Sequence, residues 1–545
     1  MRIRAAEVAL LFAAGVVLAL VATWPLALHL ASRVPQDPGD PLLQAWQVAW
    51  DGHALLDQPL HFFQANNFWP LHDTLAFSDS LIGYTPAGIV GSGTEAAVVR
   101  YDLLFLGAIA LAFAATYLLC RELGTGRLAA ACGGLACAYG PWRLGQEGHL
   151  HVVSVGGIPL ALFLLLRGYR RRSGPQIVAG WLVVAWQLSI GFTLGLQLFY
   201  LLVAIGVALL VRWLRRGRPA IDRSIVVPTA IGVGAFVVTA VVIARPYLRV
   251  LNDHPEAHRT IPEVSKLSPP IRALLAAAPD NLVWGGITSS VRNGLTGRTE
   301  QLLFPGLATV LLAGAGIRSM AYSLPTRRVL VAVVLVSLVF ALGFSLWGDW
   351  SPYRLLWELA PGWRGIRAPG RIFALTALGL AVLAAAGAER LLSRAPAPRH
   401  RWAIGAALLV AIGLEGFGPI PTAHVPVAPQ AIRLARPPLF ALPSEARYDT
   451  IYEFWSTDGF PALVNGFSGF PPRELLELRR ATLGFPDAPS VALLRARGVR
   501  SVVVPRRFAA PLRWHRAIAN PVQGLGVTRR FTGDGVLFTL APPVR

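Results

Sequence analysis

The sequence predicts an α-helical polytopic membrane protein, and three observations lead there: an apolar composition, repeated apolar runs, and arginines gathered in every second link between them. Of 545 residues, 54% are hydrophobic and 14% charged, with a mean hydropathy of +0.52. That profile is too apolar for a soluble enzyme. A span needs about 20 apolar residues to cross the hydrocarbon, fewer where neighbours bury it. Eleven runs qualify, near 7–30, 98–120, 128–142, 152–168, 176–191, 194–212, 224–244, 303–320, 328–347, 370–389 and 402–420.

Orientation follows from the links. Arginines cluster at 121–127, 167–172, 212–223, 318–328 and 390–401. By the positive-inside rule these links and the N-terminus are cytoplasmic. The loops 31–97, 143–151, 245–302, 348–369 and the tail after 421 are then extracytoplasmic. The net charge of +21 lies in these short clusters and forms no continuous basic face, so no nucleic-acid partner is expected. Lys266 is the only lysine, and that arginine bias suggests a GC-rich bacterial genome and a bacterial inner (cytoplasmic) membrane.

The first run follows Arg2 and Arg4 and extends from Glu7 to Leu30, longer than a signal-peptide core. Val34-Pro35-Gln36 is also a poor cleavage site, so the run reads as an uncleaved span. Cys120, Cys132 and Cys137 all lie in or beside apolar runs and offer neither a disulfide framework nor zinc-type spacing. Leu81 to Gly93 is apolar but broken by Gly and Pro, and reads as a short or re-entrant helix packed on protein. The chain divides into a transmembrane domain, 1–420, with a large first outer loop, 31–97, and a small α/β domain, 421–545. In that tail, Ser490–Arg497 reads as a helix, Arg500–Pro505 as a buried strand and Val527–Leu540 as a hairpin about Gly533-Asp534-Gly535.

The outer loops hold the chemistry. Asp37 and Asp40 sit in the Pro/Gly-fixed stretch Pro35-Gln36-Asp37-Pro38-Gly39-Asp40-Pro41. A carboxylate there can deprotonate an acceptor hydroxyl or bind a divalent metal, while Asp followed by Pro is also an ordinary helix start. Leu42, Leu43, Trp46, Ala49 and Trp50 then share a helical stripe, predicting a helix over 42–56 lying on the membrane surface. Asn66, Asn67, Trp69, His72, Asp73 and Asp79 mix polar groups with aromatics, which suits carbohydrate, although an interfacial aromatic belt looks the same and Asp79 can simply cap the broken segment.

Arg143, Glu147, His149 and His151 crowd a very short loop, where a cation can hold phosphate and Glu with His can bind metal or relay protons. A wet interfacial loop would be polar too. Lys266, Arg292, Arg298 and Glu300, and then Arg364, Arg367 and Arg371, put cations outside against the general trend. An anionic partner such as a phosphate can hold them there, and so can pairing with Asp or Glu. Gly365-Ile366-Arg367-Ala368-Pro369-Gly370-Arg371 is the best placed, with two arginines in a shaped turn at a span entrance. Gly-x-Ser-x-Gly, Walker-type loops, Cys-x-x-Cys and His-Glu-x-x-His are absent, which removes the main support for hydrolase, ATPase and zinc-protease readings.

At these residues the chain resembles the GT-C class of multi-span glycosyltransferases, in particular bacterial glycosyltransferase-like membrane proteins. The resemblance rests on Pro38-Gly39-Asp40-Pro41, Phe68-Trp69-Pro70, Thr74 through Asp79, Gly148-His149, Leu303-Phe304-Pro305-Gly306, Pro361-Gly362 through Arg371, and Asn465-Gly466-Phe467-Ser468-Gly469. It implies a GT-C-like fold and inverting transfer of a sugar from a polyprenyl-phosphate donor on the extracytoplasmic face to a glycan, lipid or protein acceptor. It also implies a first-loop acid, here Asp40 with Asp37 behind it, as base or metal ligand. Glu147-Gly148-His149 loosely matches a second-loop motif of the class. No Asp-x-Asp is present, so a divalent ion (Mg, Mn or Ca) held by Asp40, Glu147 and His149 stays an open alternative.

The expected roles are then Asp40 and Asp37 in catalysis and Arg367, Arg371, Arg143 and Lys266 on the donor phosphate. Asp79, Glu147, His149, His151 and Trp69 would lie near sugar, acceptor or metal. A flippase of a lipid-linked saccharide and a non-catalytic envelope assembly protein are the rival readings. A transporter would place ionisable groups or broken helices at mid-membrane, whereas here the polar residues concentrate in the outer loops, with Gln187 and Arg245 the ambiguous cases.

Overall fold

A computed structural model describes residues 5–217 and 222–542, so Arg2, Arg4 and Arg218 lie outside the described residues. The chain divides into two compact units. One comprises Met1–Leu28, Leu103–Ile243 and Arg259–Pro421, the other His29–Asp102, Ala244–His258 and Thr422–Arg545.

The first unit is a helical bundle. A helix stands in each of the eleven expected runs, counting Gly93–Leu123 and Arg223–Asp253, within which the unit boundaries fall. Six helices are long and apolar enough to cross a membrane: Gly93–Leu123, Leu150–Arg171, Phe192–Arg215, Arg223–Asp253, Leu324–Ala341 and Pro369–Leu392. The expected eleven thus exceeds the six that qualify by length and composition. Glycine and proline shorten some of the others: Gly140-Pro141 stops Arg127–Tyr139, and Gly306, at φ 92°, precedes Leu307–Ile317.

Helix Phe373–Leu392 is central. Ala381, Ala384, Ala385, Ala386 and Ala388 are fully buried, and Gly387 and Gly316 lie against the carbonyls of Leu312 and Leu383 with no room for a Cβ. Small residues let backbones approach closely, which is how helices associate without a hydrophobic drive. The apolar windows of Arg223–Asp253 and Leu324–Ala341 are by contrast only 11% buried, against 83% for Pro369–Leu392. Val237, Val238, Val241 and Val242 are exposed there, an outward surface suited to lipid.

Ion pairs gather the arginine-rich links at one end of this unit. Arg121 pairs with Glu7 at 3.3 Å, Arg167 with Glu122 at 2.7 Å and Arg401 with Glu389 at 3.3 Å; Glu389 also accepts from the Gly126 amide, beside the start of Arg127–Tyr139. The residues of 141–151 follow the opposite end of that same helix.

The second unit interleaves the first loop with the tail. β1 (Arg33–Pro35) pairs antiparallel with β2 (Thr422–His424). A four-stranded sheet runs in the order β3 (Leu439–Ala441), β4 (Ser501–Pro505), β6 (Gly535–Leu540), β5 (Val527–Thr532); β3 and β4 are parallel and the other pairs antiparallel. β4 is buried at all five positions, as its run of valines predicts, and β5 and β6 form the expected hairpin. Phe68 and Trp69 donate backbone hydrogen bonds to the Asn465 and Leu463 carbonyls, and Leu463 donates to that of Asn66. Asn465 completes the clamp: its amide donates to Asp449 and the Ala441 carbonyl and accepts from the Ala441 amide, at 2.6–2.9 Å.

Two expectations are corrected here. The helix after the Pro/Gly turn, Asp40–Asp57, does not lie on a surface: Pro41 through Gly52 are buried continuously. Gly52 and Gly88 leave no room for a Cβ between them, so the helix closes on the short helix Thr85–Gly88, and Ala446–Trp455 packs on it too. The apolar stripe marked one face correctly, but Gln44, Gln47 and Asp51 on the others are buried as well. Asp40 is the first helical residue and not its cap; the cap position is Gly39, and Asp37 Oδ1 accepts from the Gly39 amide at 2.7 Å. The expected short helix within Leu81 to Gly93 is present, as a turn at Ile82–Tyr84 and the four-residue helix Thr85–Gly88, too short to span.

Candidate active site

In the bundle, His149, His151, Glu300 and Arg371 converge. Arg371 grips Glu300 with two bonds, Nε to Oε2 at 3.1 Å and Nη2 to Oε1 at 2.5 Å, and its Nη1 lies 3.0 Å from His151 Nε2. Arginine only donates, so His151 Nε2 accepts and its proton is assigned to Nδ1. His149 Nε2 is 3.8 Å from Glu300 Oε1, and the two imidazoles meet edge to face at 5.8 Å. Local sequence sets this up. Gly370 lies against the Glu300 carbonyl with no space for a Cβ, which brings the Glu300 segment up to the Pro369–Ile372 turn that presents Arg371. Gln197 ties down the Arg371 carbonyl at 3.1 Å. Burial alone would raise the Glu300 carboxyl, but Arg371, His149 and Arg367 hold it at about 2.

The donor-phosphate group of arginines therefore separates. Arg371 is already matched by a carboxylate, whereas Arg367 is exposed and makes no hydrogen bond or ion pair among the described residues. Lys266 is exposed on Ile261–Leu267, with its carbonyl accepting from Gln301 beside Glu300. Arg143 and Glu147 do not join this cluster; both are buried and line a separate cavity.

In the second unit, Asp37, Asp40 and Asp102 gather around Tyr101. Asp40 is half-buried and Asp37 exposed, and the Tyr101 hydroxyl has Asp102, Asp40 and Asp37 as its electrostatic neighbours. Asp102 is fully buried, and neither carboxyl oxygen has a hydrogen-bond partner among the described residues. Asp51 is in the same condition, and burial pushes its carboxyl well above the usual carboxylate range. Sequence reasoning passed over Asp51, Tyr101 and Asp102. The signal was available for Asp102, an ionisable residue inside an apolar run.

Asp79 caps no helix; its carbonyl accepts from Gln47 Nε2 at 2.7 Å. Trp69 lines a cavity of about 350 Å³ with Glu474 and Arg497, its ring against Gly498, which at φ 76° has no side chain to displace it. The expected metal ligands do not assemble: neither Asp40, Glu147 nor His149 belongs to a group of three His, Cys, Asp or Glu with ligand atoms in mutual reach among the described residues. The group that does is His254, Glu256 and Glu474, within 4.8 Å of one another. Arg473 already pairs with Glu256, at 3.5 Å, and would compete with a cation.

With this geometry in place, the fold can be set beside known ones, and it is GT-C-like. Its structure is similar to that of the arabinofuranosyltransferase AftD from Mycobacteria, with TM-score 0.62 and 15% identity over 99% of this chain, and to a mutant of that enzyme at TM-score 0.59. It is also similar to the apo oligosaccharyltransferase of Archaeoglobus fulgidus, with TM-score 0.52 and 13% identity over 94% of this chain and 71% of that one. This chain spans about 40% of the length of the AftD structure. No protein-family model and no curated protein sequence matches it.

Proposed function

We propose that this protein is an inverting membrane glycosyltransferase of the bacterial inner membrane. It moves a sugar from a polyprenyl-phosphate donor to a glycan, lipid or protein acceptor on the extracytoplasmic face, with its N-terminus cytoplasmic. The observation that supports the reading is the group Asp40, Asp37, Asp102 and Tyr101, which brings three acids into electrostatic reach of one phenol. Asp40 is the reactive member because it is half-open, where Asp102 is fully buried.

In the reaction the acceptor hydroxyl gives its proton to the Asp40 carboxylate as its oxygen bonds to the anomeric carbon. The bond from that carbon to the phosphate oxygen breaks, and its electron pair leaves with the polyprenyl phosphate. A single displacement inverts the centre. Phosphate is a good leaving group, so one base, cationic contacts and positioning suffice. In the bundle, Arg371 with Glu300, His149 and His151 shapes the turn that presents Arg367, which keeps spare donors for an anion. Trp69, with Glu474 and Arg497, offers an aromatic face with polar neighbours to acceptor saccharide.

The test is glycan and lipid-linked sugar analysis of a deletion strain complemented with wild type or Asp40→Asn. The variant should accumulate normally and leave the deletion profile in place; a wild-type profile would remove Asp40 from the chemistry. A flippase reading draws on Asp102, an acid within a membrane-length helix. It predicts loss of translocation, with transfer intact, in Asp102→Asn.

A further inference from the structure

Arg143 is the basic residue that the catalytic reading leaves over. It stands in the turn Pro141–Gly145 with 6% of its surface exposed, and its Nε and Nη1 have no hydrogen-bond partner among the described residues. Leaving buried donors of a charged group unmet is costly, and such a group calls for a physical explanation. The nearest acid does not supply one. Glu147 lines the same cavity but makes no ion pair with Arg143, and burial pushes its carboxyl well up, against the pull of Arg143 and with Asp280 adding to the rise. Arg143 is thus left as a buried cation with two unmet donors and no hydrogen-bonded carboxylate among the described residues.

That charge faces a cavity of about 100 Å³ whose other walls are apolar: Leu18 from the first helix, Leu135 and Ala138 from Arg127–Tyr139, and Gly413 from Pro398–Gly416. Val21 and Phe417 on its lining are exposed, 57% and 39%, so the cavity opens on an apolar surface. One end cationic, the rest apolar and the mouth toward hydrocarbon is the complement of an amphiphile with an anionic head.

We propose that this cavity is a binding site for an anionic membrane phospholipid, its phosphodiester held by Arg143 and the start of an acyl chain lying between the first helix and Pro398–Gly416. The head is a monoanion because a single cation faces it; a phosphate monoester, with its second charge, would lack a counterpart. The site stands apart from the donor reading, and its ligand carries no sugar.

The test is native mass spectrometry of the full chain purified in neutral detergent, with phosphatidylglycerol, phosphatidylcholine of the same chains, undecaprenyl phosphate and inorganic phosphate as probes. Phosphatidylglycerol should be retained at least tenfold more than phosphatidylcholine, and Arg143→Gln should erase that preference. Gly413→Phe keeps the charge and fills the apolar part. A Cβ at Gly413 meets only Leu135 Cδ2, at 3.7 Å, so the helix accepts it, and it should cut phosphatidylglycerol retention to the same floor. If Arg143→Gln fails to fold, Gly413→Phe decides. Equal retention of phosphatidylglycerol and phosphatidylcholine by wild type, unchanged retention in the variants, or Arg143-dependent capture of inorganic phosphate or undecaprenyl phosphate in place of phosphatidylglycerol would overturn the proposal.

Discussion

Glu300 in the bundle and Asp51 in the second unit are both buried carboxylates, yet their surroundings drive them in opposite directions. Glu300 meets a guanidinium along its full edge and stays ionised, at about 2. Asp51 meets no hydrogen-bond partner among the described residues, and burial pushes its carboxyl well above the usual carboxylate range. The contrast extends to their neighbourhoods: Arg371 is matched by Glu300 and serves as a frame, while Asp102, like Asp51, meets no hydrogen-bond partner among the described residues.

The largest effect should come from breaking the neutralised side. Glu300→Ala strands Arg371 in a buried site and should cost about 3–5 kcal/mol, read as a fall in thermal midpoint in detergent. An unchanged midpoint would mean that the pair frames nothing. Next is Asn465→Ala, which leaves the Ala441 amide and Asp449 short of partners and should cost about 2–3 kcal/mol by the same assay.

The pH dependence separates the two acids more finely. The Glu300 value is lower folded than unfolded, so its contribution is complete above the ordinary carboxylate range near pH 4 and is lost as pH falls toward about 2. Asp51 is raised, so the unfolded chain gives up its proton first and stability falls as pH rises above about 4. Asp51→Asn should therefore melt above wild type at about pH 8 and close to it at about pH 4, while Glu300→Gln should flatten the acid limb. The same slope in both variants would dissolve the distinction. The smallest effect is Asp37→Ala, which loses one exposed turn bond and should cost about 1 kcal/mol or less.

Much of the architecture was legible in the sequence because apolar length, arginine spacing and alternation are local signals. The helix in each apolar run, the buried strand Ser501–Pro505 and the hairpin about Asp534 all came from such patterns. What escaped was long-range. The stripe of Leu42, Trp46 and Trp50 showed which face of Asp40–Asp57 is apolar, and nothing nearby revealed that Ala446–Trp455, some 400 residues later, would pack on the helix as well. The site divided in the same way. His149, His151 and Arg371 were picked out by type and position, but which carboxylate would claim Arg371 depended on Gly370 admitting the Glu300 backbone. Asn465-Gly466-Phe467-Ser468-Gly469, quoted for its resemblance, proved to be a structural clamp through Asn465.

The most direct test is release of polyprenyl phosphate by purified wild type, Asp40→Asn and Glu300→Gln, supplied with the lipid-linked sugar pool extracted from a deletion strain and an acceptor fraction from the same cells. Loss of a general base should slow release by about 10²–10⁴-fold in Asp40→Asn with its thermal midpoint retained, while Glu300→Gln loses midpoint first and rate in proportion to unfolded protein. Wild-type release by Asp40→Asn, or a well-folded Glu300→Gln as inactive as Asp40→Asn should be, would contradict the division between a reacting acid and a neutralised frame.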